Sequence, residues 1–360
     1  MDWSGAALFK EKHHRSRSRG HEHKQRRRGH RAPAFAAIDL GTNSCRMLIA
    51  RPSDGGFTVI DGFSRIVRLG AGLVRSGSLQ DDAMDRTLTA LDVCRQKIEH
   101  HAAAQVRCVA TAACRQADNG DEFIGRILTR TGLAVEAITP LEEATLTLAG
   151  CSPLLRSGYT RGILFDIGGG STEIMWLDIP HHGAPVVRDM VSMPMGVVTL
   201  VDEFGRGRLD RDTFEEIVTR ADDRLKDFDS NNGISDAVGD GLVQMIGTSG
   251  TMTTLGALHL GLPRYDRARI DGLSLDLVHV RSLAARISEM DYRRRQELPC
   301  IGRGRADLMV MGCALLSAII RRWPAAAVRI ADRGIREGLI AEMIEANRNP
   351  DVAQSVAPAA

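Results

Sequence analysis

The sequence predicts an α/β protein that is built from two similar halves. Two apolar β-type runs flank a turn rich in Gly, Thr, Asn and Ser at AFAAIDLGTNSCRMLIARP, and the same layout returns at RGILFDIGGGSTEIMWLDI. The two copies place Asp39 and Asp166 at matching positions 127 residues apart, which indicates an internal repeat. A length of 360 residues also exceeds what one hydrophobic core usually serves. We therefore expect two α/β domains that face each other.

The first half is predicted to begin with a three-stranded meander. The two runs around Asp39 are followed by a third apolar run, FTVIDGFSRIVRLG. Apolar residues at helical spacing between Ala83 and Ile98 predict a helix over about 80–101. The remaining predicted elements are, in order, the strand VRCVAT, a helix over about 121–131, the strand AVEAIT and a helix that starts at Glu142.

The second half is predicted to repeat the strand pair and then to add more helices. The elements expected after the repeat are a strand near 184–193, helices near 196–227, the strand LVQMIG, a helix after Gly250, helices up to 322, the strand AAVRIAD and a last helix over 334–347. This order predicts a first domain over 34–141 and a second over 142–333. The helix over 334–347 is expected to pack back on the first domain.

Composition limits the class of protein. Hydrophobic residues make up 43% and charged residues 26%, which is the balance of a soluble globular protein. Aromatic residues make up only 4%, which disfavours the base-stacking surfaces of single-strand binders. The seven cysteines are scattered and form no CxxC pair, so neither a zinc site nor a disulfide framework is indicated. No apolar run reaches the roughly 20 residues of a spanning helix, and we predict a cytoplasmic protein.

The charge is concentrated at the N-terminus. Residues 1–33 contain ten Lys and Arg against three acidic residues, whereas the rest of the chain carries a net charge of −5. This segment has no apolar periodicity, so we predict a disordered basic tail over 1–33 and a second disordered tail over 348–360. The basic tail is suited to polyphosphate, RNA or an acidic membrane surface, and nucleic acid is expected to bind nowhere else. The alternative is a solvated extension without a role in binding.

An acidic residue at the end of a buried strand, followed by glycine and hydroxyl residues, is a recurring arrangement for holding phosphate. Glycine lets backbone N–H groups approach the ligand, hydroxyls donate hydrogen bonds, and Asp holds a hydrated metal ion. DLGTNS by itself favours an ordinary tight hairpin turn. DIGGGSTE does not, because three consecutive glycines weaken the turn unless something requires the exposed backbone. Two matched loops in one chain therefore predict a phosphate site.

Over nearly all of residues 34–346 the chain resembles the exopolyphosphatase and guanosine pentaphosphate phosphohydrolase family, which belongs with actin, sugar kinases and the heat-shock chaperone ATPases. The resemblance lies, in order, in AAIDLGTNSCRMLIA, RIVRLGAGL, ATAACRQADN, LEEATLTLAG, GILFDIGGGSTEI, MPMGVVTL, IGTSGTMTTLGAL and VRIADRGIREGLI. It implies two ribonuclease H-like domains with a cleft between them, the actin-like ATPase superfold. It also implies an enzyme that releases terminal phosphate from polyphosphate, or converts guanosine pentaphosphate to tetraphosphate, with a divalent metal.

The resemblance assigns roles to acidic residues. In that family the glutamate directly before an alanine, just after the crossover between the domains, is the catalytic base, and the match places it at Glu143. Such a carboxylate takes the proton of the attacking water. Glu142 is the weaker candidate, and the alternative for both acids is that they only favour a helix N-terminus. The same match makes Asp166 and Glu173 the other essential acids, and Asp39 the equivalent acid of the first half.

The predicted metal is Mg²⁺, held by Asp39, Asp166 and Glu173, since Mg²⁺ needs only one or two carboxylates together with water and substrate phosphate. The residues expected to hold phosphate through the two loops are Gly41, Thr42, Asn43, Ser44, Gly168, Gly169, Gly170, Ser171 and Thr172. Those expected to do so through a guanidinium are Arg46, Arg68 and Arg115, although each of them is equally suited to a solvated surface. A third turn, IGTSGT, adds Ser249 and Gly250 as a helix N-terminus for an anion, or as a simple helix cap.

The sequence departs from the family in ways that leave rival functions open. IGTSGT lacks the paired glycines usual in the family, Leu141 replaces a Gly or polar residue, and no C-terminal helical extension domain is predicted. A sugar kinase or ATPase would use the same loops together with an adenosine pocket, and a non-catalytic alarmone or nucleic-acid binder would leave the acids unexplained. A homodimer is also expected, through an apolar stripe in the helix over 304–322 that is equally typical of core: Met309, Met311, Leu315, Leu316 and Ile319.

Overall fold

The computed structural model describes residues 32–206 and 209–348. The two predicted tails lie outside the described residues, apart from residues 32, 33 and 348. The binding partners predicted for the basic tail therefore stay a prediction. Within the described residues no helix is long and apolar enough to cross a lipid bilayer.

The first half contains a five-stranded sheet. Its strands are β1 (Ala34–Leu40), β2 (Ser44–Ser53), β3 (Gly56–Ile66), β4 (Ala103–Ala110) and β5 (Val135–Ala137), in the spatial order β3-β2-β1-β4-β5. The first three strands form the predicted antiparallel meander, and β4 and β5 run parallel to β1. The connecting helices are α1 (Leu73–Ser76), α2 (Asp81–His101), α3 (Ala112–Gln116), α4 (Gly120–Thr131) and α5 (Pro140–Cys151).

The second half contains a six-stranded sheet. Its strands are β6 (Arg161–Ile167), β7 (Thr172–Asp178), β8 (Val186–Met193), β9 (Val243–Thr248), β10 (Ser274–Asp276) and β11 (Ala327–Ala331), in the order β10-β11-β9-β6-β7-β8. The meander β6–β8 and the parallel strands β9 and β11 repeat the first sheet, and β10 is an added antiparallel edge. The internal repeat read from the sequence is therefore a repeat of structure.

The second half also contains most of the helices. They are α6 (Val197–Phe204), α7 (Arg211–Asn232), α8 (Ile234–Gly239), α9 (Gly250–His259), α10 (Arg267–Ile270), α11 (Leu277–Glu289), α12 (Tyr292–Glu297), α13 (Leu308–Arg322) and α14 (Ile335–Arg348). The predicted stripe of α13 is buried throughout, and so is almost every other residue of that helix. The proposed dimer face on this helix is therefore wrong, and the reading of the stripe as core is confirmed. The homodimer itself stays a prediction.

The first sheet is buried on both faces. Because side chains alternate along a strand, Ile38 of β1 points into a core that includes Leu91 of α2, whereas Phe35 and Ala37 join a second core that includes Leu339 of α14. The last helix thus lies on the first sheet. The predicted domain boundaries at 141 and 333 stay a prediction.

The helices α5 and α14 cross in direct backbone contact. A β-carbon placed on Gly150 would lie 2.1 Å from the carbonyl oxygen of Gly334, and one on Gly338 would lie 2.1 Å from that of Leu146. Both distances are far below a normal contact, so only glycine permits this crossing. The crossing brings the start of α5 and the loop before α14 to the same place between the sheets.

Candidate active site

The two predicted phosphate loops touch each other. The loop between β1 and β2 contains Thr42, and the loop between β6 and β7 contains Gly169 and Gly170. A β-carbon on Gly169 would lie 2.9 Å from Thr42 Cβ, and one on Gly170 would lie 2.8 Å from Thr42 Oγ1. These glycines are therefore required by the neighbouring loop, a reason that the sequence alone did not reveal.

A cleft above this contact is lined by both halves of the molecule. The predicted site residues that line it are Asp39, Gly41, Thr42, Asn43, Ser44, Arg46, Glu143, Asp166, Gly168, Gly169, Gly170, Ser171, Ser249 and Gly250. Asp39 and Asp166, the paired acids of the repeat, thus share one crevice. This is the arrangement on which the phosphate-site prediction depends.

Four predicted residues lie elsewhere. Thr172 is fully buried and donates its hydroxyl to the carbonyl oxygen of Met195 at 2.7 Å, so its side chain supports β7 and does not face a ligand. Arg68 forms an ion pair with Asp307 and does not line the cleft. Arg115 and Glu173 lie behind the cleft surface, next to Glu143, as described below. The expectation that Thr172, Arg68 and Arg115 contact phosphate finds no support in these positions.

The start of α5 gives Glu142 and Glu143 different roles. Thr139 accepts a hydrogen bond from the backbone N–H of Glu142, and the Glu142 carboxylate accepts one from the N–H of Thr139 at 2.8 Å. This is a capping box, and Pro140 in the first turn strengthens it. The capping interpretation is therefore correct for Glu142 alone. Glu143, one residue further round the helix, turns into the cleft and is 9% exposed.

Arg115 holds Glu143 in place. Its Nη1 donates to the carbonyl oxygen of Ile138 at 2.5 Å and lies 3.5 Å from Oε2 of Glu143. The guanidinium is therefore fixed by the backbone and offers the glutamate a positive charge. Within the protein its partners are therefore the Ile138 carbonyl and the predicted base.

Sheet register explains the uneven charge of the cleft. In the first sheet Asp39 lies directly opposite Arg46, whereas in the second sheet Asp166 lies directly opposite Glu173. Opposite residues in an antiparallel pair share one face. The first acid therefore has a positive neighbour, and the second acid has a negative one.

The pKa values follow from this arrangement. Burial, and then the charge of Glu173, raises the pKa of Asp166 to about 7 in spite of Arg46. Burial also raises the pKa of Asp39, with Arg46 opposing the rise. The pKa of Glu143 lies well above its usual range, because burial and the charges of Glu173 and Asp166 outweigh Arg115. Four carboxyl groups thus lie close together in a buried site, where burial is the largest cause of their raised pKa values.

The Glu173 carboxylate is hydrogen-bonded by hydroxyl groups of the second half. Burial raises its pKa, while hydrogen bonds from Ser171 and Ser192 oppose the rise. The Ser192 hydroxyl donates to Oε1 of Glu173 at 2.9 Å. Ser192 was not predicted, because β8 carries no motif around it.

The chemistry of these donors fits a hard divalent cation. Raised carboxyl pKa values mean that a cation placed between the groups is favoured, and oxygen ligands suit Mg²⁺. Asn43 adds a buried Oδ1 that has no hydrogen-bond partner in the described structure. No three His, Cys, Asp or Glu side chains of residues 32–206 and 209–348 form a ready-made metal group. That is compatible with Mg²⁺, which takes most of its ligands from water and phosphate.

Three further arginines line the cleft: Arg305, Arg333 and Arg336. A β-carbon on Gly250 would lie 3.9 Å from Arg305 Cζ and also 3.9 Å from Arg46 Nη2, so two cations meet at the N-terminus of α9. Ser249 caps this helix by accepting from the N–H of Thr251 at 3.3 Å. The third loop is thus both a cap and part of the cleft. Sequence reasoning missed Arg305 because its loop has no motif, although Arg333 and Arg336 lie within the family-like stretch VRIADRGIREGLI.

Comparison with known proteins decides the family. The model of the Ppx/GppA phosphatase family matches residues 48–347. The chain belongs to this family. A guanosine-5'-triphosphate,3'-diphosphate pyrophosphatase of Vibrio parahaemolyticus is 29% identical over 324 residues, which cover 89% of this chain and 61% of that relative. The chain therefore spans about three fifths of the relative's length.

Solved structures agree with this assignment. A Ppx/GppA family member from Aquifex aeolicus has a TM-score of 0.71 at 26% identity, covering 88% of this chain and 99% of its own. An exopolyphosphatase-like protein has a TM-score of 0.78 at 27% identity, covering 87% and 98%. An exopolyphosphatase from Cytophaga hutchinsonii, at 24% identity over 87% and 98% of the chains and a TM-score of 0.78, shows the fold alone. The predicted fold class and family are confirmed.

Proposed function

We propose that this Ppx/GppA family member is an Mg²⁺-dependent phosphohydrolase that releases the terminal phosphate of inorganic polyphosphate, or converts guanosine pentaphosphate to tetraphosphate. One observation carries the proposal. A shielded glutamate, Glu143, lies where two glycine loops meet in a cleft that also contains Asp39 and Asp166. A non-catalytic binder gives no reason for a buried glutamate with a raised pKa in that place, and the match to a phosphatase family favours water over a second substrate as the phosphate acceptor.

Glu143 is suited to accept the proton of the attacking water. A general base works best when its pKa lies near the working pH, and burial moves the pKa of Glu143 in that direction. Arg115 keeps the carboxylate oriented and limits this rise. Glu173, held by Ser192, lies beside Glu143 and its charge adds to the rise of that pKa.

The walls of the cleft are suited to a chain of phosphates. Backbone N–H groups of both loops, the N-terminus of α9, and the cations Arg46 and Arg305 provide donors and positive charge. Asp39 and Asp166 would hold Mg²⁺, which supplies charge neutralisation on the phosphate oxygens when bound. The chain's own groups then bind the polyanion, orient its end towards Glu143 and remove a proton from water.

The choice of substrate rests on the relatives. The Vibrio parahaemolyticus relative is named for guanosine pentaphosphate, and the structural neighbour of 27% identity is described as exopolyphosphatase-like. Guanosine pentaphosphate and polyphosphate both end in a phosphoanhydride. The seven free cysteines agree with a reducing compartment such as the cytoplasm.

The test is phosphate release from guanosine pentaphosphate and from polyphosphate of several lengths, with Mg²⁺ and with EDTA. We expect Glu143→Gln to lower kcat by roughly 10²- to 10⁴-fold, the usual contribution of a general base. Glu142→Gln is the matched control, because Glu142 caps α5 and does not line the cleft. Full activity of the Glu143→Gln protein would show that the base is assigned wrongly.

A further inference from the structure

One ion pair joins the two halves beside the cleft. Arg68 donates from Nη1 to Asp307 Oδ2 at 2.8 Å and from Nη2 to Asp307 Oδ1 at 2.9 Å, which is a bidentate contact across 239 residues of sequence. The Asp307 side chain is 1% exposed and that of Arg68 is 21% exposed. Such a pair is little screened by salt, unlike an exposed surface pair.

The backbone of Arg68 is bonded to the first phosphate loop. The N–H groups of Val67 and Arg68 both donate to the carbonyl oxygen of Asn43, at 3.0 and 2.9 Å, and the N–H of Gly70 donates to that of Thr42 at 3.0 Å. Arg68 adopts a φ of 50°, a left-handed conformation that is uncommon for a residue with a side chain. In this conformation the backbone of Arg68 is hydrogen-bonded to the first phosphate loop, and its guanidinium reaches Asp307 in the other half.

Asp307 is bonded to the opposite wall of the cleft. It is the N-cap of α13, and its Oδ1 accepts from the N–H of Leu308 at 3.1 Å. Arg305, Leu308 and Met309, its neighbours in sequence, all line the cleft. A shift of Asp307 therefore moves cleft-lining residues, including one of the cations proposed to face phosphate.

We propose that Arg68 and Asp307 form a strap that sets the distance between the first phosphate loop and the Arg305 wall, so that Arg68 is a positioning residue and not a phosphate ligand. This inference rests on the proposed function. Two further contacts join the stretch around Arg68 to the second half. Asp202 Oδ2 accepts from the N–H of Gly72 at 2.6 Å, and Ile66 packs so closely on Gly304 that a β-carbon there would lie 2.6 Å from Ile66 Cδ1.

The hydrogen bonds of Arg68 occupy three of its five N–H donors within the protein. Nη1 is bonded to Asp307, and Nη2 is bonded both to Asp307 and to the carbonyl oxygen of Gly304 at 3.2 Å. If Arg68 turned to grip phosphate, the buried Asp307 carboxylate would lose its bidentate partner, and Arg206, which lies 3.8 Å away, is 65% exposed. Removing one partner of a buried pair is strongly unfavourable.

A double-mutant cycle tests the strap. The variants are Arg68→Gln, Asp307→Asn and the double variant, and Asn keeps the N-cap of α13 because it caps helices as well as Asp does. We expect each single variant to raise KM for a short polyphosphate about tenfold, with kcat changed less than about threefold, since a loosened wall lowers the population that is competent to bind. The double variant should be no worse than either single one, because both remove the same contact. Arg95→Gln, which breaks an exposed pair with Glu99 within α2, is the control and should behave as the parent.

Other outcomes would overturn the strap. A raised KM in Arg68→Gln together with an unchanged KM in Asp307→Asn would mean that Arg68 binds substrate directly. Additive losses in the double variant would mean the same. Equal losses of melting temperature with KM unaltered would reduce the pair to a structural role.

Hydrogen exchange separates this inference from the proposed function. Amides of residues 39–46 should exchange faster in both single variants than in the parent or in Arg95→Gln, because their anchor to the second half is gone. This result is expected even if the parent protein releases no phosphate from either substrate, in which case the proposed function alone fails. Unchanged exchange in both variants would overturn the strap.

Discussion

Replacing Asp166 by Asn should stabilise the protein, and increasingly so as the pH rises. Burial and Glu173 raise the pKa of Asp166 from 3.8 to about 7, so the folded state favours the protonated carboxyl. The free energy of unfolding is therefore unaffected by this group below about pH 4, falls between about pH 4 and 7, and levels off above that range. Applied to those two pKa values, linkage gives a loss of about 2 kcal/mol at pH 5 and about 4 kcal/mol at pH 8.

The assay is urea unfolding of the parent and of Asp166→Asn in EDTA at pH 5 and pH 8. The amide carries no charge at either pH, so the advantage of the variant should be larger by about 2 to 3 kcal/mol at pH 8 than at pH 5. Millimolar Mg²⁺ should stabilise the parent more than the variant, because the variant lacks one of the proposed carboxylate ligands. An advantage that is equal at both pH values would refute the reasoning, since Asp166 would then have an ordinary pKa.

Three other changes give separate tests. Arg115→Gln should move the acidic limb of the pH profile of kcat/KM to higher pH, because Arg115 lowers the pKa of Glu143. Arg115→Lys, which keeps the positive charge, should move this limb less. An unmoved limb in Arg115→Gln would contradict the pairing of Arg115 with Glu143. Gly169→Ala should lower the free energy of unfolding by about 1 to 3 kcal/mol and should lower activity, because its β-carbon would meet Thr42. Gly125→Ala is the control, since the space around Gly125 is open. Equal melting temperatures of the two variants would mean that the loops do not touch. Thr139→Ala should cost about 1 kcal/mol of unfolding free energy with kcat retained, because only a helix cap is lost; a collapse of kcat would mean that the cap also governs Glu143.

The sequence was sufficient for features that depend on local pattern. The meanders, the helices near 80–101 and 121–131, and the loop acids Asp39 and Asp166 are encoded within single stretches, and the structure has them at those places. Glu143 was separable from Glu142 only through the family resemblance. The capping box then supplied the physical reason for the difference.

Features that depend on distant partners were not predictable. Arg68 looked like any cation beside a phosphate loop, and its true partner Asp307 lies 239 residues away. The glycines of the second loop seemed to serve a ligand, but they first serve Thr42 of the other half. The apolar stripe of α13 could not be assigned to a surface or a core from the sequence, because its partners α6, α7 and α11 and the second sheet come from distant parts of the chain.

A substitution at Gly150, where α5 crosses α14, would change the position of Glu143 at the other end of the helix. Glu143 lies seven residues, close to two helical turns, before Gly150, so the two share one side of α5. A single methyl group at Gly150 would have to push the carbonyl oxygen of Gly334 aside by more than 1 Å, and the rigid helix would pass part of that tilt to the glutamate. Displacements of this size at a reacting group cost on the order of 10²-fold in rate. The smallest residue of the helix thus fixes the position of Glu143, the proposed base.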